Sequence, residues 1–504
     1  VSSPIHVLGV DIGTGGVRTL LVEATTGAVL AREQEAWPSS SLHPGWSEQD
    51  PDTWWKSTSD AIRRLVDGLD DPGAIKAVAF AGQMHGLVLH DENGNVLRPA
   101  ILWNDQRTVS QCEEVHDRVG RDTCISITGK PVLTGFTSPK LLWVQEHEPE
   151  VASRIAHICL PKDHILFKAT GTRTMDVTDA SGTSWLDLSS RNWSESICSS
   201  LGVNPSWLPP VRESSEVIGA INAQGAAATG LPEGIPVVAG AGDQAAAGLA
   251  CGVTREGLVS MTIGTSGVVF AQSDTPPSDP TGILHGFCHA VQDRWHVMGC
   301  MLSAGGCLEW WRNVIGRHDG AVGFDELVKE ASNLSPGAEG LCFLPYLNGE
   351  RTPHNDPRAR GAFIGLASRH DQRHMTRAVL EGISFGLADM LDLLRGAGHA
   401  VDSIRVAGGA ARSETWLQLL ADVFQATVET VNEPDATAYG AAMLASIGAG
   451  AVADAQAAAD TLVHVTGTYE PGGSCFKQAR STWQTLYPEL AAAMHRLADQ
   501  SMTC

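Results

Sequence analysis

The chain lacks the spacings that mark several large protein classes. It contains no CxxC pair, no GxxxxGK[ST] stretch and no run of 18 apolar residues. Without the first, the eleven cysteines, an odd number, build neither a zinc site nor a disulfide framework. Several of them (Cys159, Cys251, Cys342) sit inside apolar runs and read as buried thiols of a reducing compartment. Without the second, a P-loop nucleotide site is excluded; without the third, so is a helical membrane span. The opening VSSPIHVLGV has no basic n-region and no long apolar core, so no signal peptide is expected and the location expected is cytoplasmic. Charge is scarce at 18%, against a disordered chain. Basic residues are scarcer still, 35 against 57 acidic ones, for a net charge of −22. Such a surface repels nucleic acid and anionic lipid. A phosphorylated ligand must therefore be held by local devices: backbone N–H groups, helix N-termini or a metal ion.

What is present suits two domains, since 504 residues with 43% hydrophobic content exceed one ordinary core. The first 36 residues read as three strands, HVLGVDIG, VRTLLVEA and AVLAREQEA, joined by glycine-rich turns. At DPDTWWKSTSDAIRRLV the period becomes helical, with Asp50 as N-cap and Pro51 at the first position. AIKAVAFAG (74–82) returns to a buried strand. An antiparallel start followed by alternating helix and strand is α/β with a mixed sheet. Near residue 236 the pattern resets: strand PVVAG, small-residue helix DQAAAGLACGV, then the strand–turn–strand LVSMTIGTSGVVFAQ. SIRVAGGAARSETWLQLLADVF follows as strand, glycine turn and helix, and DATAYGAAMLASIGAG (435–450) and the C-terminal stretches are helical.

The two halves share a signature. DIGTGGV at 11–17 and TIGTSGV at 262–268 agree at five of seven positions, each after an apolar run. Either turn alone is an ordinary glycine turn; the matched pair reads as duplication, with two turns whose N–H groups grip phosphates. Asp11 of the first copy is Thr262 in the second, so one half alone brings a carboxylate, placed to hold Mg²⁺. In VAGGAARSE (406–414) a helix N-terminus follows two glycines, suited to a nucleotide phosphate. PVVAGAGDQAAAG (236–248) matches G-x-G-x-x-A, but no carboxylate stands about 20 residues on to hold a ribose, so the dinucleotide reading fails. What is left there is Asp243, either an N-cap or a functional carboxylate; spacing does not choose between them. AGQMHG (81–86) sets Met84 and His85 at a strand end where ligands gather. WNDQR (103–107) offers groups that read sugar hydroxyls or simply start a helix.

Taken together, DIGTGGVR, AGQMHG, LRPAILWNDQR, GFTSPKLLWVQEHEP, LPKDHILF, VVAGAGDQAAAG, MTIGTSGVVF, LPYLNGERTPHNDPRARG, LEGISFGLADML, AGGAARSETW and DATAYGAAMLA resemble, in order, the FGGY family of carbohydrate kinases. The likeness is to its pentulose-kinase branch, through HPGWSEQDPDTWW, AGQMHG and FLPYLNGERTPHNDP. The resemblance implies two ribonuclease-H-like domains of the actin–hexokinase kind, 1–251 and 252–504, with an interdomain active-site cleft. It implies sugar binding and catalysis in the first domain and nucleotide binding in the second. By the same resemblance Asp243 is the catalytic base, Asp11 organises phosphate, and both carboxylates serve Mg²⁺. Gly13, Thr14 and Arg18, Gly264, Thr265 and Gly267, and Gly408, Gly409 and Ser413 bind ATP. Met84, His85, Trp103, Asn104, Asp243 and Gln244 face the sugar. The implied reaction carries a phosphoryl group from Mg²⁺-ATP to a ketopentose, D-xylulose. Gln244 departs from the Asn of many relatives in this branch; GDQ occurs in glycerol kinases, which carry an Arg–Glu pair where this chain has Met84–His85. Ala410 replaces a glycine. The alternatives are a kinase for another ketose or polyol (ribulose, a deoxy-xylulose, glycerol), an actin-like ATPase and a silent sugar sensor. The partners expected are small molecules, and the sequence leaves the oligomeric state open, a homodimer included.

Overall fold

The computed structural model describes residues 4–38, 43–316 and 323–501. The chain forms two compact units that interleave in sequence. The first takes residues up to 254 with 273–296 and 435–463, and the second takes 255–272, 297–434 and 464 onward.

The first unit is built on a six-stranded mixed sheet. Its strands and principal helices are β1 (His6–Ile12), β2 (Gly16–Glu23), β3 (Val29–Ala36), α1 (Pro51–Asp67), β4 (Ile75–Gly82), α2 (Pro161–Thr170), α3 (Val177–Ser181), β5 (Val217–Ala220), β6 (Pro236–Gly242) and α4 (Asp243–Ala250). The strand order is β5-β6-β4-β1-β2-β3. β1, β2 and β3 form the expected antiparallel meander, while β1, β4 and β6 run parallel. α1 begins where the sequence places it: the Asp50 carboxylate accepts from the Asp52 N–H at 3.0 Å, and Pro51 supplies a residue with no N–H to lose. Its buried face, Trp54, Thr58, Ala61, Ile62 and Leu65, follows helical spacing onto the sheet.

The other face is covered by the helix Ala436–Gly448, buried nearly all round. Small residues let backbones meet there. A Cβ on Gly9 of β1 would lie 2.1 Å from the Ala438 carbonyl oxygen, and one on Gly440 would lie 1.9 Å from that of Ala246 in α4. Both glycines are therefore required by close approach. Tyr439 closes the layer, its hydroxyl donating toward the carbonyls of Gly27 (3.0 Å) and Leu462 (2.8 Å).

The second unit repeats the plan. Its strands are β7 (Gly257–Ile263), β8 (Gly267–Ser273), β9 (Trp295–Met301, most of which belongs to the unit), β10 (Val401–Gly408), β11 (Thr427–Val431) and β12 (Val465–Tyr469). Within a seven-stranded sheet these six are ordered β9-β8-β7-β10-β11-β12, the counterpart of β3-β2-β1-β4-β6-β5. The pairing senses agree as well: β7 and β8 antiparallel, β7, β10 and β11 parallel, β11 and β12 antiparallel. One difference from the sequence reading concerns the glycines after β10. A short 3₁₀ turn, Gly409–Arg412, intervenes before the α-helix Glu414–Phe424 begins, so that helix does not start at the glycines.

Cys159 and Cys251 are buried and Cys342 is half-buried. Among the described residues no helix is long and apolar enough to cross a membrane.

Candidate active site

Parallel strands discharge their C-terminal ends on one edge, and in the first unit that edge collects the candidates. Ile12 pairs with Gly82 and Gly82 with Gly242. The next residues in each chain segment are the Gly13–Gly15 turn, Gln83–Met84–His85 and Asp243–Gln244. Asp11 sits one residue inside, opposite Arg18 in β2. Arg18 spans two carboxylates, Asp11 at 3.9 Å and Asp435 at 3.8 Å. Trp103 joins the group by donating its indole N–H to the Thr14 hydroxyl at 2.9 Å, and Asn104 is exposed beside it. The rest of that loop is structural: Arg107 is clamped by Asp105 and Glu48, both at 2.7 Å, and lies over the Trp46 ring.

Asp243 is the first residue of α4, with Gly242 in the cap position, so its carboxylate does not cap the helix. Burial pushes its pKa up to about 6, against hydrogen bonds from the Gln244 backbone and side-chain amides that favour the ionised form. Asp11 goes further, to about 7, through burial and then the like charge of Asp243, with Arg18 pulling the other way. Asp11 Oδ1 is buried without a hydrogen-bond partner among the described residues. Two neighbouring carboxylates, one with an orphaned buried oxygen, form a donor set that fits a hard divalent cation.

Buried polar side chains aim this edge. A bulge in β6 breaks its register with β4 between Val238 and Ala241, where Gly240 takes φ 78° against Phe80. Lys162, fully buried in α2, donates to the carbonyl of Ala239 at 3.1 Å and contacts Asp163 (2.5 Å), Asp176 (3.1 Å) and Asp179 (3.6 Å). The Thr178 hydroxyl donates to Asp176 at 2.5 Å and accepts the Gly242 N–H at 2.7 Å, tying α3 to the residue before Asp243. His85 occupies the left-handed region at φ 72°. Its carbonyl accepts from Lys140 Nζ (2.9 Å) and the Thr137 hydroxyl (3.1 Å), and its Nδ1–H donates to the Gly182 carbonyl at 2.9 Å. Burial drops the Lys140 pKa to about 7, with the Asp105 charge pulling the other way.

The first glycine turn is braced from behind. The Thr14 carbonyl accepts from Gln49 Nε2 (2.8 Å) and the Trp37 indole (3.1 Å), and the Gly15 carbonyl accepts the Trp37 N–H (3.1 Å). The Thr14 hydroxyl donates to Gln83 Oε1 at 3.2 Å, so in this structure it is engaged within the protein. Gln49 and Gln83 bond each other at 3.2 Å, and Trp54 donates to Gln49 at 2.9 Å. None of Trp37, Gln49, Trp54, Gln83, Lys140 or Lys162 follows from a local sequence pattern. Gln83 is adjacent to Met84, Gln49 and Trp54 lie in HPGWSEQDPDTWW, Lys140 in GFTSPKLLW and Lys162 in LPKDHILF, but none of these stretches says what its side chain braces.

In the second unit the same edge holds the remaining candidates. Ile263 pairs with Gly408, bringing the Gly264–Thr265 turn beside Gly409. Gly408 has φ 83°, and a Cβ there would lie 2.5 Å from the Ile263 carbonyl oxygen. Ser413 stands at the N-cap of the helix Glu414–Phe424 and makes no capping bond. Gly267 opens β8 against Leu387 and Ala304.

Away from both edges, His90, Cys159 and His164 form a buried cluster. Arg173 lies 3.1 Å from His90 Nδ1, and His90 Nε2 lies 2.9 Å from His164 Nδ1. The Nδ1 lone pairs of both imidazoles are taken up in this hydrogen-bonded chain, beside a guanidinium that repels a cation.

Residues 6–250 match the N-terminal domain, and residues 259–449 the C-terminal domain, of the FGGY family of carbohydrate kinases. The chain is 42% identical over 445 residues to a xylulose kinase of Escherichia coli (strain K12), covering 88% of this chain and 90% of that one. It is 38% identical over 468 residues to a xylulose kinase of Bacillus subtilis (strain 168), covering 92% and 93%. The crystal structure of a xylulose kinase from Rhodospirillum rubrum superposes with a TM-score of 0.90 at 32% identity, covering 97% of this chain and 100% of that one. The strand order found twice, the site edges and these likenesses agree: this chain belongs to the FGGY family of carbohydrate kinases, with its two-domain α/β fold.

Proposed function

We propose that the chain phosphorylates D-xylulose on its C5 hydroxyl with ATP as donor, and that Asp243 is the base. The single observation that supports it best is the placement of Asp243. Asp243 is a half-buried residue at the C-terminal edge of three parallel strands, its carboxylate braced by Gln244 and next to Met84 and His85 on that edge. A pKa near 6 makes it a stronger base than an ordinary aspartate while leaving it ionised at neutral pH. As the sugar oxygen attacks the γ-phosphorus, the hydroxyl proton passes to Asp243 and the Pγ–O bond to ADP breaks. Met84, His85, Trp103 and Asn104 orient the sugar. The unpaired N–H groups of the two glycine turns, together with Arg18, Gly408, Gly409 and Ser413, bind the nucleotide. Asp11, with Asp243 beside it, would hold Mg²⁺, whose role when bound is to neutralise phosphate charge. The first domain thus carries the sugar, the base and one phosphate-binding turn, and the second carries the rest of the nucleotide site.

The relatives named xylulose kinase support the sugar. Gln244, as found in glycerol kinases, makes glycerol the alternative to test. A panel of D-xylulose, D-ribulose, 1-deoxy-D-xylulose and glycerol, with ATP, Mg²⁺ and ADP-coupled detection, decides. D-Xylulose should give the highest kcat/KM, and a preference for glycerol would overturn the assignment.

A further inference from the structure

The stretch NGERTP (348–353) supplies none of the site residues named so far. Its alternate residues stitch one segment of the second unit in place. Glu350 is buried, and one of its oxygens accepts the N–H groups of Leu302 (2.9 Å) and Arg351 (2.7 Å). Thr352 exchanges two bonds with Cys300, both 3.1 Å, and Asn348 donates to the Ser303 hydroxyl at 3.2 Å.

The segment so fixed runs on to 304–306, which seizes the second glycine turn. The N–H groups of Ala304 and Gly306 donate to the Thr265 carbonyl at 2.8 and 3.1 Å, and that of Gly305 to the Gly264 carbonyl at 2.8 Å. Only glycine fits at the contact, since a Cβ on Gly305 would lie 2.4 Å from the Gly264 oxygen. A trans peptide is planar, with its C=O and N–H opposed. Drawing the carbonyls of 264 and 265 toward 304–306 therefore turns the N–H groups of Thr265 and Ser266 the other way. Neither N–H has a partner among the described residues. Two adjacent unpaired amides facing one direction make an anion nest. The first turn is pinned mainly by side chains and the second by backbone.

We infer that Glu350 is a positioning residue for the nucleotide: it locks the 300–306 segment that presents the Thr265 and Ser266 amides to a phosphate of ATP. The inference rests on the kinase reading above. One acceptor oxygen serving two N–H groups is a role that a glutamine carbonyl fills and an alanine cannot.

The test compares Glu350→Ala, Glu350→Gln and Gly305→Ala with the unmodified chain. The readouts are the ADP dissociation constant by calorimetry without sugar, and KM for ATP and for D-xylulose. Glu350→Ala should weaken ADP binding and raise KM for ATP by about tenfold or more, leaving KM for D-xylulose within about twofold. Glu350→Gln should restore nucleotide affinity to within about threefold. Gly305→Ala displaces the turn directly and should reproduce the nucleotide-selective loss, so it decides the matter should Glu350→Ala not fold. A folded Glu350→Ala or Gly305→Ala with unmodified ADP affinity overturns the inference, as does Glu350→Gln losing as much as Glu350→Ala. If the unmodified chain phosphorylates none of the sugars, the proposed function falls on that result, while the ADP comparison still judges Glu350.

Discussion

Asp243 heads a helix whose cap position is glycine, and its carboxylate accepts from the backbone and side-chain amides of Gln244. Replacing it by asparagine keeps shape and removes the proposed proton acceptor. Asp243→Asn should lower kcat by about 10²–10⁴-fold with an unchanged circular dichroism spectrum; turnover near that of the unmodified chain would remove Asp243 from its role. Glu350 allows a prediction of opposite kind. Burial raises its pKa from 4.5 to about 8, against the Leu302 and Arg351 amides and the Arg351 charge, with Cys300, Cys307 and Tyr346 as titratable neighbours. A carboxyl with a raised folded pKa gives stability that is complete below 4.5 and lost as pH rises through about 8. Glutamine does not titrate, so Glu350→Gln should gain on the unmodified chain between pH 5 and pH 9, by on the order of 3 kcal/mol in urea unfolding. A difference that does not change with pH would show that Glu350 is not buried as described.

At the scale of elements, the sheet is held to the helix Ala436–Gly448 through glycine. Gly440→Ala drives a methyl into the Ala246 carbonyl and should cost about 1–3 kcal/mol, lowering kcat as well because Ala246 shares α4 with Asp243. Gly396→Ala, at the end of the helix Gln372–Gly396 where a Cβ meets nothing within 4 Å, is the control and should be neutral or stabilising. Equal effects in the two urea titrations would contradict the packing. These elements also mark what the sequence makes legible. The meander, the start of α1 at Asp50–Pro51 and both glycine turns follow from signals within a few residues of themselves. The braces do not. Gln49 and Gln83 meet behind Thr14 only because β1 and β4 pair in parallel, and Gly305 is a glycine because another chain segment passes over it. Lys162 gains its partner only where the bulge in β6 brings the Ala239 carbonyl to it. The 3₁₀ turn after Gly408 escapes for a related reason: AGGAARSE carries a helix-start signal, and the pairing of Gly408 with Ile263 delays that start.

Across the whole molecule, one strand order serves twice, and the two copies have diverged in charge. Asp11 and Asp243 give the first unit its carboxylates, and the corresponding turn of the second carries Thr262 and bare amides. In a chain of net charge −22, a phosphate must be drawn by such local donors. The most direct measurement is phosphorus NMR of D-xylulose incubated with ATP, Mg²⁺ and the protein, run beside Asp243→Asn. The prediction is one phosphate monoester on C5, formed in step with ADP and absent with the variant. ADP accumulating without a sugar ester, or an ester on another carbon, would contradict it.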